Sequence, residues 1–398
     1  MISPLIWLAL GTFTVGTEGY VIAGLLPDIA AEAGISVAQG GTLVTAFSLS
    51  YAFGAPILAT LFGDVDRRRI LAGTMVLFAA SNLAAALTSS FLALLLARVI
   101  MALSAGLYAA TAQATAIALA PPERRARAIA VVVGGTSLAV ALGAPIGALL
   151  ATVTGWRGTF VAIAAVSVVT AGAVLFKIPA HLRGTRIPLR ERAMTIAKPG
   201  MLPILATTLL IMTGGFSVFT YLAPLAVEGT GLPAVVIPGL LLASGFGAAL
   251  GNFIGGQVAD RYGARATVIF AVLGLGAILA TISLAAKLLS PTVAGLALIG
   301  LTVLWGIMGW MTVPAQVSRL VALHPASAPV SLSLNASALY LGVALGSVLG
   351  GAVISVGTPA DLGWVGAIPV LLALLIVLAT CRLPALGRIQ GLSQGSVS

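Results

Sequence analysis

The sequence has few charged residues and almost none of the side chains that build metal centres. Only 8% of its 398 residues are charged, whereas soluble domains contain about 25%. The single cysteine, Cys381, excludes a disulfide within the chain, and the two histidines show no metal-ligand spacing. A water-exposed globular surface is therefore excluded, and no metal or other cofactor is expected.

Motifs of phosphate chemistry are also missing. No Gly-x-x-x-x-Gly-Lys loop is present to bind phosphates through its backbone, so direct coupling to ATP is not expected. The long apolar stretches contain no pair of acidic or basic groups arranged for catalysis. The sequence therefore does not predict an enzyme.

Long apolar stretches make up most of the chain, which is 60% apolar with a mean hydropathy of +1.14. About 20 apolar residues are enough to cross the hydrocarbon core of a bilayer as a helix. Twelve such stretches are present: 5–26, 41–62, 70–88, 92–119, 128–150, 159–176, 203–226, 236–258, 266–286, 292–315, 329–356 and 363–381. The first has no basic segment before it and is predicted as a helix that stays in the protein, not a cleaved signal peptide. The sequence thus predicts an all-α membrane protein with twelve transmembrane helices.

The basic residues are distributed unequally between the two sides of this predicted topology. If both termini are cytoplasmic, seventeen Lys and Arg residues lie inside and only Arg157 and Lys287 lie outside. This bias follows the positive-inside rule and supports the orientation. It also explains the net charge of +10 without nucleic acid, so no nucleic-acid partner is expected.

A polar segment near the middle divides the chain. Residues 1–178 are predicted to form an N-terminal six-helix bundle, 179–201 a cytoplasmic linker, and 202–398 a C-terminal six-helix bundle with a short cytoplasmic tail. The linker is basic and suits contact with lipid headgroups, but a plain connection is favoured. The loops after helices two and eight are similar, with Asp66 and Asp260 in equivalent places. Repeats of this kind are typical of transporters.

Both of these loops place an aspartate, Asp66 or Asp260, directly before an arginine. Such groups form charge-assisted hydrogen bonds to helix ends, which can hold one conformation and release it in another. Positive-inside charge alone would explain the arginines but not the two aspartates. We therefore predict a conformational latch, meaning a contact that holds one conformation, at Asp66, Arg67, Arg69, Asp260, Arg261 and Arg265.

The second loop, which reads Gly256-x-x-x-Asp260-Arg261-x-Gly263-x-Arg265, resembles the signature loop of the major facilitator superfamily. The first copy departs from it, with Phe62 in place of a glycine and Arg68-Arg69 in place of a Gly-Arg step. The segment from Pro122 to Ala128 is also similar to the family's pattern. This similarity adds two residues to the predicted latch, Glu123 and Arg127.

A series of small residues in helix five resembles the motif typical of antiporters in that superfamily. The series consists of Gly135, Gly143, Pro145 and Gly147. Small residues at such spacing allow helices to pack closely, and proline can kink a helix. The resemblance associates this motif with export, whereas close packing alone says nothing about direction.

Along its whole length the chain resembles the bacterial twelve-helix drug:proton antiporters, and within them the arabinose- and purine-efflux permeases. Stretches such as Thr17-Glu18, Trp305-Gly306 and Pro314-Ala315-Gln316 suggest this branch. The resemblance implies the superfamily's fold of two pseudo-symmetric six-helix bundles, the bacterial inner membrane, and a monomer. It also implies a small-molecule substrate, protons and membrane lipids as partners.

Glu18 is the only acidic residue inside a predicted span. A charged carboxylate at that depth costs several kcal/mol unless it is paired, protonated or facing water. Burial favours the neutral acid, which suits a proton-coupling site or an anchor for a cationic substrate. Thr14 lies one turn away and is a candidate hydrogen-bond partner. A purely structural carboxyl remains the alternative.

Arg98 is the only basic residue well inside a span. It resembles the helix-four arginine of the family, which is thought to take part in proton transfer, although Met101 and Ala102 replace the family's usual Gln-Gly. Two placements remain open. Arg98 either faces the bundle interior, where it can pair with Glu18, or extends to the outer headgroups.

Polar and aromatic residues inside the spans are candidates for lining a substrate cavity, because they supply hydrogen bonds and stacking surfaces. Tyr51, Asn252 and Asn335 are preferred because they lie away from the span ends. The wider set includes Asn82, Tyr108, Gln113, Tyr221, Trp305, Trp310, Gln316 and Tyr340. Contacts between helices or with the membrane interface are expected to account for at least half of them.

These observations predict a secondary active transporter that exports a small organic compound with proton coupling, by alternating access. The resemblance permits a drug, sugar, nucleoside or purine as the substrate. The alternative is an uncoupled facilitator or an importer of a small metabolite.

Overall fold

The computed structural model describes residues 2–184 and 186–380, and these residues form helices and turns with no strand. The first helices are α1 Ile2–Glu32, α2 Thr42–Leu61, α3 Arg67–Leu87, α4 Phe91–Leu119, α5 Arg125–Leu138 and α6 Ala144–Lys177. A short linker helix, Leu189–Ile196, follows. The remaining helices are α7 Met201–Phe219, α8 Ile237–Tyr262, α9 Ala264–Leu288, α10 Pro291–Leu323, α11 Ala328–Val356 and α12 Leu362–Ala379.

The described part of the chain crosses the bilayer region twelve times. Eleven segments are long and apolar enough to span, and one of them, Pro122–Lys177, has 56 residues where about 20 suffice. Inside this segment Gly155 has φ 71° and ψ 168°, which interrupts the helix between the predicted fifth and sixth spans. Glycine adopts this backbone conformation at little cost because it has no Cβ. The predicted count of twelve is confirmed.

The outer surface of the helices suits lipid and not water. Large apolar side chains point outward, and Leu87, Val153, Phe176 and Val356 are 81–91% exposed. In water, apolar surface on this scale would drive aggregation. In hydrocarbon it is stable, because each helix pairs its own backbone groups.

The helix pairing of the first half recurs in the second half. In the first half α2 packs on α4, α1 on the crossing that contains α5, and α3 on both α4 and α6. Six crossings later α8 packs on α10, α7 on α11, and α9 on both α10 and α12. This correspondence is the pseudo-symmetry that the repeated loops predict.

Two faces of the bundle are distinguished below by their loops. The linker face contains the linker and the loops at 62–66 and 324–327, and the distal face contains the loops at 33–41 and 357–361. Arg157 and Lys287, the two basic residues on the distal face, are each paired with an acid. Arg157 lies 2.5 Å from Glu32, and Lys287 pairs with Asp361.

The two halves contact each other through α2 and α11 and through the fifth crossing and α8. At the distal face the Ser347 hydroxyl donates to the Gly41 carbonyl over 2.8 Å, and the Tyr221 hydroxyl donates to the Ser347 carbonyl over 2.9 Å. Gly41 lies so close to the Tyr221 hydroxyl that an added Cβ would overlap it. The distal ends of the halves are therefore tightly packed together.

The linker is more ordered than a plain connection. Arg192 on the linker helix is 8% exposed and donates to the Ser333 hydroxyl of α11 over 2.8 Å. Thr60 at the end of α2 donates to the Ile187 carbonyl over 3.0 Å. The linker thus contacts helices from both halves.

Candidate functional site

A buried ion pair joins α1 and α4. Glu18 and Arg98 are both 0% exposed, and Arg98 Nη1 donates to Glu18 Oε1. Arg98 therefore faces the bundle interior and does not extend to the headgroups. Its Nε donates to the Leu43 carbonyl of α2 over 3.2 Å, and its guanidinium carbon lies 4.4 Å from the Phe47 ring centroid.

The pair does not satisfy all of its polar atoms. Within residues 2–184 and 186–380, Glu18 Oε2 and Arg98 Nη2 have no hydrogen-bond partner. Buried polar atoms are seldom left unpaired, and a buried ion pair contributes little net stability. Because such a pair is costly to keep, a functional reason for it is favoured over a stabilising one.

Glu18 has no access to water in this conformation. Its side chain has no exposed surface, and it does not line any of the cavities described below. Thr14 is not its partner either, since the Thr14 hydroxyl donates to the Leu10 carbonyl over 2.8 Å. The carboxyl is held by Arg98 alone among the described residues.

One face of α2 extends from the ion pair to the interface between the halves. Phe47 contacts Arg98, and its ring centroid lies 6.4 Å from those of Tyr51 and Tyr340. Tyr51 of α2 stacks on Tyr340 of α11 with centroids 3.7 Å apart. Leu43, Phe47 and Tyr51 are spaced by four residues, so they share one helix face. Arg98 therefore contacts the side of α2 that meets α11.

A recess with about 590 Å³ of empty space, part of it open solvent, lies beside the interface and is lined largely by the second half. Five aromatic rings contribute to its wall, and we call it the aromatic cavity. Its lining consists of Tyr20, Val140, Ile211, Met212, Gly215, Phe216, Phe219, Ser244, Leu275, Trp305, Gly306, Gly309, Trp310, Val313 and Leu339. Trp305 and Trp310 belong to the wider set that the sequence suggested.

None of the three preferred cavity residues lines the aromatic cavity. Tyr51 is buried in its stack with Tyr340, and the Asn335 Oδ1 accepts a hydrogen bond from Thr208 over 2.8 Å. Asn252 lies half-buried on α8 and outside the lining. In this conformation the structure uses the Tyr51 phenol and the Asn335 amide to join helices, and their assignment to the substrate cavity stays a prediction.

A second recess of about 1080 Å³ lies at the distal face between the halves. It is lined by the distal ends of α1 and α8 and by the segment after α7, and it includes Asp28 and Glu228. Both acids are exposed. This recess is therefore part of the surface and not an enclosed site.

The first predicted latch loop holds the linker. Asp66 caps α3 by accepting from the backbone N–H groups of Arg68 and Arg69, at 2.9 and 3.3 Å, and its other oxygen accepts from the His181 N–H. Arg67 donates to the Ala114 carbonyl of α4 over 2.8 Å. These contacts lie within the first half and its linker, not between the halves.

The pKa of Asp66 lies below its ordinary value of 3.8. Burial is the largest single influence and raises the pKa, but the backbone N–H groups of His181, Arg69 and Arg68 and the charge of Arg69 together outweigh it. The charged form is therefore the one that this loop stabilises.

The other predicted latch residues have fewer contacts. Arg265 donates to the Val377 carbonyl of α12 over 2.9 Å, and Arg261 lies over the Tyr262 ring at 5.4 Å. Among the residues that the structure describes, three exposed members form no hydrogen bond or ion pair through their side chains: Glu123, Arg127 and Asp260. The two loops are thus similar in sequence but differ in their contacts.

We expect Asp66→Ala to lower the free energy of unfolding by roughly 1–3 kcal/mol, because α3 loses its cap and the linker loses its charged acceptor. Limited proteolysis should cut faster between Ile178 and Ile187. The contribution is present above the ordinary pKa of 3.8 and is lost as pH falls through the lower folded value. Asp260→Ala is the matched control, since Asp260 is the equivalent exposed aspartate of the second loop and its side chain has no described hydrogen bond or ion pair. Equal cleavage of both variants would argue against this role of Asp66.

The glycine series of helix five packs this crossing against α1. An added Cβ at Gly135 would overlap the Ala9 carbonyl, and one at Gly143 would overlap the Thr17 hydroxyl. A π-helical turn, Ala139–Gly143, separates α5 from α6 just before Pro145. Gly147 meets Val21 in the same way. The predicted close packing of this crossing on α1 is present. One of its contacts, at Gly143, involves Thr17, the residue before Glu18.

Comparison with known proteins agrees with this architecture. The sequence model of the Major Facilitator Superfamily matches residues 8–332. The inner membrane transport protein YdhP of Escherichia coli (strain K12) is 31% identical over 384 residues, which cover 95% of this chain and 96% of that protein. The chloramphenicol resistance protein of Streptomyces lividans is 33% identical over 380 residues, covering 94% and 95%.

A solved structure shows the same fold. It is that of a bacterial homologue of the human lysosomal transporter Spinster in an inward-facing and occupied conformation. The TM-score is 0.71 at 19% identity, and the match covers 95% of this chain and 96% of that one. Together with the family match over most of the chain, this fold shows that the protein is a multi-pass membrane transporter of the Major Facilitator Superfamily, not an enzyme.

Proposed function

We propose that this protein exports a small organic compound from a bacterial cell in exchange for protons. The observation that supports this most directly is the fully buried pair of Glu18 and Arg98. Among the described residues Glu18 is the only acid that is fully buried. Ionisable groups at membrane depth are costly and usually serve transport or proton transfer.

Proton binding at Glu18 would change the contact between the halves. A proton on the carboxylate gives a neutral acid and removes its attraction for Arg98. Arg98 then loses its ionic partner and is held mainly by its contacts on α2, which are the Leu43 carbonyl and the Phe47 ring. Because α2 packs on α11, the protonation state of Glu18 and the arrangement of the halves are thermodynamically linked.

Alternating access supplies the route for the proton. Glu18 has no exposed surface here, so it exchanges protons only after the halves have moved. The distal ends are packed in this conformation, and rocking of the halves would open them. The halves that move are 1–178 and 202–398, connected by 179–201, and the working unit is a monomer.

The orientation and the direction of transport have separate support. The linker face contains most of the basic residues and is therefore cytoplasmic, with both termini on that side. The relative from Streptomyces lividans is a chloramphenicol resistance protein, which favours export of a toxic organic compound. YdhP, an inner membrane protein, favours the same membrane here.

Glu18→Gln tests proton coupling. We expect it to abolish substrate movement driven by an imposed pH gradient in inside-out vesicles, because glutamine cannot bind and release a proton. The substrate is first identified by comparing the growth of deletion and overexpression strains on a compound panel. Glu18→Asp, which keeps a titratable group, should retain part of the response.

The control is Glu228→Gln, which removes an exposed acid at the distal face. Protein level and thermal stability are measured for each variant, since Glu18→Gln leaves Arg98 without its carboxylate. A Glu18→Gln protein that folds and still responds fully to the gradient would rule out this assignment. Flux that ignores the gradient even in the parent protein would indicate an uncoupled facilitator.

A further inference from the structure

We propose that the aromatic cavity binds the transported compound, and that this compound is an uncharged, planar aromatic molecule with a hydrogen-bond acceptor on its ring system. The inference rests on the proposed function only where it treats the bound compound as the exported one. Four observations support it: the ring arrangement, the absence of charge in the lining, the free hydrogen-bond donors and the shape near two glycines.

The five rings form one connected surface. The Tyr20 ring centroid lies 6.2, 6.1 and 6.0 Å from those of Phe216, Phe219 and Trp310. Phe219 meets Phe216 at 5.4 Å and Trp305 at 5.9 Å, both edge to face. Aromatic rings at these separations pack favourably with a further flat ring by stacking or by edge contact. The wall therefore favours a planar aromatic ligand over a globular aliphatic one.

The lining of the aromatic cavity includes no Asp, Glu, Lys, Arg or His. Glu18 does not serve as a counterion, because it is paired with Arg98. Successive helix residues are rotated by about 100°, so Glu18 and Tyr20 point to nearly opposite sides of α1. Attraction of a cation to ring faces is weaker than the cost of removing its hydration at membrane depth. The cavity therefore favours a neutral ligand.

Two hydrogen-bond donors line the cavity without a partner. Within the described ranges, the Trp305 Nε1 and the Tyr20 hydroxyl form no hydrogen bond, and neither is among the fully buried unpaired atoms, so both keep some accessible surface. Trp305 is only 6% exposed, so its N–H has little access to bulk solvent. A tryptophan N–H can only donate, and a buried donor is expected to meet an acceptor. A ring carbonyl on the ligand satisfies this requirement.

Two glycines leave room beside the rings. An added Cβ at Gly309 would meet no atom within 4 Å, and one at Gly215 would meet only Trp305 Nε1, at 3.7 Å. A Cβ at Gly309 would therefore enter open space without overlapping the wall. This makes Gly309→Val a test of occupancy.

The test is direct binding to the full-length protein in nanodiscs, with empty nanodiscs as the blank. Three neutral planar probes with a ring carbonyl are used: coumarin, 2-quinolone and 9-fluorenone. N-methylquinolinium is the charged comparison, and octahydrocoumarin is the saturated one. We expect at least one neutral probe to bind roughly tenfold or more tightly than both comparisons.

Variants locate the bound probe. Trp305→Ala and Gly309→Val should each weaken its binding by roughly tenfold or more, and Trp305→Phe by less, since it loses only the N–H donor. Trp364→Phe is the control, because Trp364 is 42% exposed on α12 and outside the cavity. The proposal is overturned if no neutral probe binds, if a comparison compound binds as tightly, or if Trp305→Ala and Gly309→Val both bind normally.

Binding at equilibrium requires no pH gradient, so the two proposals can fail separately. Glu228→Gln should bind the probe as the parent does, because Glu228 is exposed at the distal face and does not line the aromatic cavity. Binding that persists while gradient-driven export proves independent of Glu18 would overturn only the proton assignment. Loss of probe binding with coupling intact would overturn only the cavity assignment.

Discussion

Arg98→Met is expected to destabilise the protein by roughly 3–5 kcal/mol, because it leaves the Glu18 carboxyl buried without its partner. Methionine has a similar length and packs against apolar neighbours, so the cost arises mainly from lost charge compensation. The same change also removes the donor to the Leu43 carbonyl and the cation over Phe47. The loss of stability is measured as a lower unfolding temperature in detergent, monitored with a fluorescence assay that does not depend on thiols.

The double variant Glu18→Gln/Arg98→Met separates charge compensation from function. Replacing both members of a buried pair with uncharged groups is often neutral or stabilising. We therefore expect it to regain most of the stability lost in Arg98→Met, yet to show no gradient-driven export. Equal stability of Arg98→Met and the parent would show that the pair is not a compensating unit.

Gly41→Ala is expected to shift the protein away from the conformation with a packed distal face. Gly41 has an ordinary helical backbone, φ −56° and ψ −21°, so alanine introduces no backbone strain there. Its methyl group would overlap the Tyr221 hydroxyl, which is fully buried and bonded to Ser347. Overpacking of this kind costs about 1–3 kcal/mol, which is roughly a 5- to 150-fold change in the equilibrium.

Accessibility of the cavity from the distal side measures this shift. Ser244→Cys, in a chain whose Cys381 is replaced by serine, places one thiol in the lining of the aromatic cavity. A membrane-impermeant maleimide added on the distal side should label it faster when Gly41→Ala is present. Adding Tyr221→Phe removes the overlapping hydroxyl and should reverse part of the increase. Unchanged labelling would show that this contact does not close the distal face.

The number of helices could be predicted from sequence because hydrocarbon imposes a simple length requirement on each apolar stretch. The break at Gly155 also falls between two predicted spans. The linker helix could not be predicted, since it is short and polar and depends on a tertiary contact of Arg192 with Ser333. Local pattern contains no information about such a distant partner.

The buried charges were identifiable from sequence, but their surroundings were not. Glu18 and Arg98 stand out because ionisable groups are rare at membrane depth. Their pairing depends on the rotation of two helices, which a hydropathy pattern leaves undetermined. Phe216 and Phe219 were missed because a phenylalanine facing a cavity and one facing lipid look the same in sequence. The hydrogen bond that Asn335 accepts from Thr208 could not be predicted, because Thr208 is distant in the chain.

The opposite placement of Glu18 and Tyr20 on α1 has an evolutionary consequence. If the aromatic cavity binds the substrate as we propose, substitutions at Tyr20 or at the rings of the second half change which molecules fit, while the carboxyl and its arginine are untouched. Under our proposals, selection by a new toxic compound then acts on one side of a single helix and leaves the energy source unaltered. Descendants of such a transporter can therefore change their substrate specificity while they keep the same coupling to protons.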